Sequence, residues 1–242
     1  YAAYVKLTDG TYAYSPLYQY SPKKYAANML SKDSTSAGQK ALCVAMLNYG
    51  AEAQKYFGYK TDDLMNAGLE SYQSLVAAYE SDMINPRGTV DAAKAGDFGV
   101  SSSGFTARSA TMSADGNFSL NYYFTTAYAA DRVTLYYWTA EDFSNAKVLT
   151  AENATGSKEM TAMDTQNLFW ADYRGIAAKN IDKTVYVCGV YEVDGVTYST
   201  GVIPYSIGYY CTKKAAAGGE IQAFAMATAV YCYYAKAYFG IS

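Results

Sequence analysis

TVYVCGVYEVDGVTYSTGVIPY, residues 184–205, decides the reading of the chain. β-branched and aromatic residues run along both sides of Asp194-Gly195. Such runs favour strands, and Asp-Gly between them marks a tight hairpin. Ser206 follows where a helix N-cap belongs. Beyond it Phe224, Ala227, Val230, Tyr231, Tyr234 and Tyr238 recur at helical spacing, and Gly240 stands where such a helix ends.

The start of the chain reads the same way. Tyr1, Val5, Asp9, Gly10, Tyr20, Ser21 and Tyr25 match Tyr186, Val190, Asp194, Gly195, Tyr205, Ser206 and Tyr210. Later, Ala41, Ala45, Tyr49, Tyr56, Phe57 and Gly58 match Ala223, Ala227, Tyr231, Tyr238, Phe239 and Gly240. Each copy predicts a hairpin, a capped short helix, a loop and a longer helix, with Pro22 as the first helical residue of copy one. The spacing between copies changes only at Ser31–Gly38 against Lys214–Gly219, so the loop between the helices differs in length. Tyr56 and Phe57 continue the apolar stripe of the first long helix and are expected in its core. Leu69–Glu80 has a helical pattern, and the stretch from Ile84 to Phe98, with Pro86, reads as a connector.

From Phe105 the period becomes two. FTARSATMS, a turn at Asp115-Gly116, NFSLNYYFTT, DRVTLYYWTA, a weaker strand at Lys147–Thr150, LFWADYRGI and the opening hairpin make about seven short strands, the pattern of an Ig-like sandwich. The fold class is α+β: an Ig/fibronectin III-like β-sandwich with duplicated β-hairpin plus helical-hairpin units. The expected domains are a first repeat unit at 1–98, the sandwich at 99–205 and a second helical pair at 206–242.

Composition limits the chemistry. The 242 residues carry a net charge of -3 and no His. A nucleic-acid footprint and His-based catalysis or metal binding are excluded. No apolar run approaches the ~20 residues of a membrane span. The 28 Tyr favour a binding surface, since Tyr gives large contact area at low entropy cost. Cys43, Cys188, Cys211 and Cys232 form no metal-type pair and are expected as buried free thiols.

The segment FWADYRGI followed by TVYVCGV resembles the second half of a fibronectin type III domain. The resemblance implies that Tyr186 is a corner tyrosine, and Tyr1 another by the repeat. It also implies that Phe169, Ala171 and Tyr173 point inward with Tyr186, Cys188 and Val190, while Trp170 and Asp172 point out. Val133, Leu135 and Tyr137 form the inward set of their strand, with Tyr136, Trp138 and Tyr123 outward. The runs ALCVAMLNYGAEAQKYFGY, YYWTAEDF and VIPYS resemble modules of surface proteins of clostridial gut anaerobes, including the starch adherence proteins of amylosomes. That resemblance implies an extracellular, cell-surface module that binds α-glucan without cleaving it, beside other modules of a larger protein.

Sugar rings stack on aromatic faces, and their hydroxyls pair with Asp, Asn, Lys or Arg. Trp138, Trp170, Tyr136, Tyr123, Asp172 and Arg174 are the candidate ligand-binding residues. Glu141-Asp142 and Asp62-Asp63 lack the cross-cleft placement a glycosidase needs. The reading is a non-enzyme with no cofactor that binds a polysaccharide or oligosaccharide; the alternative is a structural or adhesive spacer with no glycan ligand.

Overall fold

Asp9 shapes the opening hairpin by accepting hydrogen bonds from the Thr11 backbone N–H (2.9 Å) and hydroxyl (2.6 Å). The turn needs a left-handed residue, which Gly10 supplies at φ 84°. It joins β1 (Tyr4–Lys6) to β2 (Tyr12–Tyr14), with Tyr4 opposite Tyr14 and Lys6 opposite Tyr12. The computed structural model describes residues 2–240 apart from 18, 85, 86, 100, 101, 103, 116, 128–131 and 164–166. The expectations for Tyr1, Pro86 and the Gly116 half of the Asp115-Gly116 turn therefore lie outside the described residues. The chain divides into two units, 1–77 and 78–242.

In the first unit Tyr4, Tyr12 and Tyr14 are exposed, and the Tyr4 and Tyr12 ring centroids lie 5.5 Å apart. Ser21 caps α1 (Pro22–Leu30) and Ser36 caps α2 (Ala37–Phe57), each accepting from a backbone N–H of its helix's first turn. Ala26, Leu30, Cys43, Val44, Leu47 and Leu69 form the buried cluster between them. Gly50 admits Met65, which would stand 3.0 Å from an added Cβ. Two expectations fail here. The Leu69–Glu80 pattern yields only a 3-10 helix at Glu70–Leu75, which turns extended at Val76. Phe57 is 61% exposed, because the last helical turn, ahead of left-handed Gly58, projects beyond the cluster.

The second unit is α+β. One antiparallel sheet has the order β3 (Phe105–Asp115), β4 (Asn117–Thr126), β8 (Leu168–Ile176), β7 (Thr161–Met163). The other runs β10 (Val196–Ser199), β9 (Val185–Val193), β5 (Thr134–Trp138), β6 (Gly156–Glu159), with β11 (Ile203–Tyr205) also on β9. Among the described residues neither sheet closes into a barrel. Between β5 and β6 lies α4 (Ala140–Asn145), and α3 (Ala92–Ala95) precedes β3. The expected strand at Lys147–Thr150 is a loop.

Rings fill the space between the sheets. Phe105 of β3 meets Tyr191 of β9 edge-on at 4.8 Å, and Tyr173 of β8 meets Tyr137 of β5 at 5.1 Å. Gly189 makes this possible: an added Cβ would stand 2.5 Å from the Phe124 ring and 3.0 Å from Phe105. Gly189 therefore faces inward with Val187 and Tyr191, opposite Leu135 of β5. This reverses the expected faces of β9. Tyr186, Cys188 and Val190 face away from the other sheet, into a second buried cluster with Trp138, Phe143 and Leu149. Tyr186 is no inward corner residue; its ring stacks flat on Phe143, 3.5 Å between centroids and 2° from parallel.

After β11, Ser206 caps α5 (Ile207–Ala217), and α6 (Gln222–Phe239) ends at Gly240. The Ser206 cap (φ -145°, ψ 159°) and the Ser21 cap (φ -144°, ψ 161°) share one geometry, as do Gly240 and Gly58, both at φ 64°. Lys236 anchors α6 through a 2.6 Å ion pair to the buried Asp182. The four cysteines are buried and free.

Candidate functional site

The six candidate side chains separate into three places, all in the second unit. Tyr123 and Trp170 stand directly opposite each other on β4 and β8. Both are half-buried. Ser109 of β3 pairs with Tyr123 on one side, and Thr161 of β7 pairs with Trp170 on the other. The row Ser109–Tyr123–Trp170–Thr161 thus crosses four strands, with Ser109 and Thr161 exposed. The next row holds Thr111, Asn121 and Asp172.

Asp172 and Arg174 sit where β8 runs past its partner β7, whose pairing stops at Trp170. Asp172 is 6% exposed, and Lys158 and Arg174 both pair with its carboxylate. Burial pushes this carboxyl up, but the hydrogen bonds and charges of Lys158 and Arg174 outweigh it and hold the group below its ordinary value. Asp172 is thus committed to a charge cluster, not open to a ligand. Arg174 remains exposed.

Trp138 corrects the expectation of an outward platform residue. It does lie on the outer face of its sheet, yet it is 0% exposed. Phe98 packs edge-on against it at 5.5 Å, and the α4 segment with Leu149 completes the cover. Its indole Nε1–H donates to Asn153 Oδ1 at 3.0 Å. Asn153 also accepts from the Thr150 N–H (3.0 Å) and donates to the Val148 carbonyl (2.8 Å). One buried tryptophan therefore fixes the 148–153 loop.

That loop is one wall of a groove of about 890 Å³ on the outer face of the β10-β9-β5-β6 sheet. Tyr136 and Thr134 of β5 and Val190 and Glu192 of β9 line the groove, and Phe98 and Glu152 stand beside them. The Tyr136 and Phe98 rings lie 5.7 Å apart. At the groove's edge Arg132 pairs with Glu159 at 3.1 Å. The sequence pointed to Tyr136 alone here. Phe98 closes the stretch that reads as a connector, and nothing in the sequence marks Asn153 as part of a groove. Asn153 spends its amide on the loop, and Thr155 binds Asp142.

Glu141 and Asp142 lie in the first turn of α4. Hydrogen bonds from Thr155 and Thr139 hold the Asp142 carboxyl below its ordinary value. This is helix capping, not a catalytic pair. Among the described residues no cluster of His, Cys, Asp and Glu is arranged to hold a metal ion, and no helix is long and apolar enough to cross a membrane.

No family model matches the chain, and no curated protein matches it. Among solved structures it is similar to a bromine derivative of BhCBM56, a carbohydrate-binding module. The match has 16% identity and a TM-score of 0.28, and covers 42% of this chain and 98% of the other. A TM-score of that size does not establish a common fold.

Proposed function

We propose that the second unit is a non-catalytic carbohydrate-binding module for starch-like α-glucan, acting at the cell surface beside other modules of a larger protein. The observation that carries the reading is the Tyr123–Trp170 pair. Two adjacent half-buried rings on an open sheet face, flanked by the hydroxyls of Ser109 and Thr161, suit the apolar face and hydroxyl edge of a sugar. Asn121 adds a hydrogen-bonding amide in the next row, and Arg174 an exposed cation near it. The choice of α-glucan rests on the resemblance to starch adherence modules.

The strand order β3-β4-β8-β7 against β10-β9-β5-β6 supports an Ig-like or fibronectin III-like sandwich. The matching Ser21 and Ser206 caps support an internal duplication. A spacer role toward a protein partner is favoured by one observation, the exposed ring cluster Tyr4, Tyr12 and Tyr14. Sedimentation with insoluble starch and calorimetric titration with maltoheptaose separate the two readings. The glucan reading expects saturable binding that Trp170→Ala weakens by about 1–3 kcal/mol with its melting curve retained. Absence of binding by the intact chain leaves the spacer role.

A further inference from the structure

We propose that the groove over the β10-β9-β5-β6 sheet is a second, independent site for a neutral oligosaccharide; this extends the glucan reading to the opposite sheet of the same unit. At about 890 Å³ it has the size of a ligand site, and its aromatic surface is already assembled. Tyr136 is held against Phe98, and Phe98 against the buried Trp138. The 148–153 wall is fixed by Asn153, so little ordering remains to be done on binding.

The polar lining selects the chemistry. Glu152 and Glu192 are exposed in the groove and form no ion pair among the described residues, while the nearby cation Arg132 is already met by Glu159. A carboxylate without a cation is a strong acceptor for sugar hydroxyls. The same two charges repel a phosphate, sulfate or uronate. Thr134 and Thr197 supply neutral donors and acceptors beside the rings. A ring face, carboxylate acceptors and hydroxyls together fit an uncharged polyol chain.

The test is a backbone amide NMR titration of the full chain with maltoheptaose, in the parent and in Trp170→Ala. The proposal expects saturable shifts at Thr134, Glu152 and Thr197 that persist in Trp170→Ala. Tyr136→Ala weakens them at least tenfold and leaves the shifts at Ser109 and Asn121 in place. If Tyr136→Ala fails to fold, Glu192→Gln replaces it with the same expected loss. Shifts confined to the Tyr123–Trp170 face, and abolished in Trp170→Ala, overturn the groove and keep the platform. Shifts confined to the groove overturn the platform and keep the groove. Silence at both faces overturns both.

Discussion

At the scale of single residues, Trp138 changes role between sequence and structure. Like Trp170 it is a sequence candidate for sugar stacking, and it is instead the hidden support of a loop. Asn153 transmits that support. Asn153→Ala leaves the buried indole N–H without its partner and is expected to cost about 1–3 kcal/mol, read as a lower melting temperature. It should also loosen groove binding and leave the Tyr123–Trp170 face as it was. Unchanged stability would disprove the brace. Cys188 sets a second test. Burial pushes its thiol up to about 11, against hydrogen bonds from Ser199 and Thr200 that act the other way. The unfolded thiol ionises near 8.5. Folding favours the neutral form, so this contribution is whole below pH ~8.5 and is lost as pH rises through about 11. Its size is about 3 kcal/mol. Urea midpoints measured from pH 8 upward should fall, and Cys188→Ala should fall less steeply.

At the scale of elements, what covers a strand decided how well the sequence revealed it. β4 and β8 have one interior face and one open face; alternation located both strands, and the fibronectin type III resemblance implied the inward set Phe169, Ala171 and Tyr173. β9 is covered on both sides. Val185, Val187 and Tyr191 meet one cluster while Tyr186 and Cys188 meet another, so apolar residues occupy both phases and the period-two signal loses its phase. Gly189 settles the orientation, since it alone leaves room for the Phe105 and Phe124 rings. Gly189→Ala is expected to force those rings aside at a cost of about 1–3 kcal/mol, measured by chemical denaturation. A neutral effect would mean that β9 faces the other way. The helices with serine caps were legible because the cap is local, at Ser21 and Ser206. Helix α4 was not, being only Ala140–Asn145 with its Thr139–Asp142 cap beside strand-like residues. Strands β6 and β7 are too short to show a period. The groove was illegible for a different reason: its floor and walls come from segments 98, 132–136, 149–152 and 190–199, which only the fold assembles.

At the scale of the whole molecule, the absence of His leaves no side chain that ordinarily titrates between about pH 5 and 8. The contrast between the two tryptophans has an optical consequence. Trp138 is sealed from solvent and Trp170 is half open, and the chain has no other tryptophan. A collisional quencher such as iodide should extinguish the emission of Trp170 and leave that of Trp138 as an internal reference. Saturating glucan should then shield the quenchable fraction without any substitution in the chain. Quenching of both indoles in the folded protein would show that the cover over Trp138 opens. A quenchable fraction that glucan leaves unchanged would show that Trp170 is not where the sugar rests.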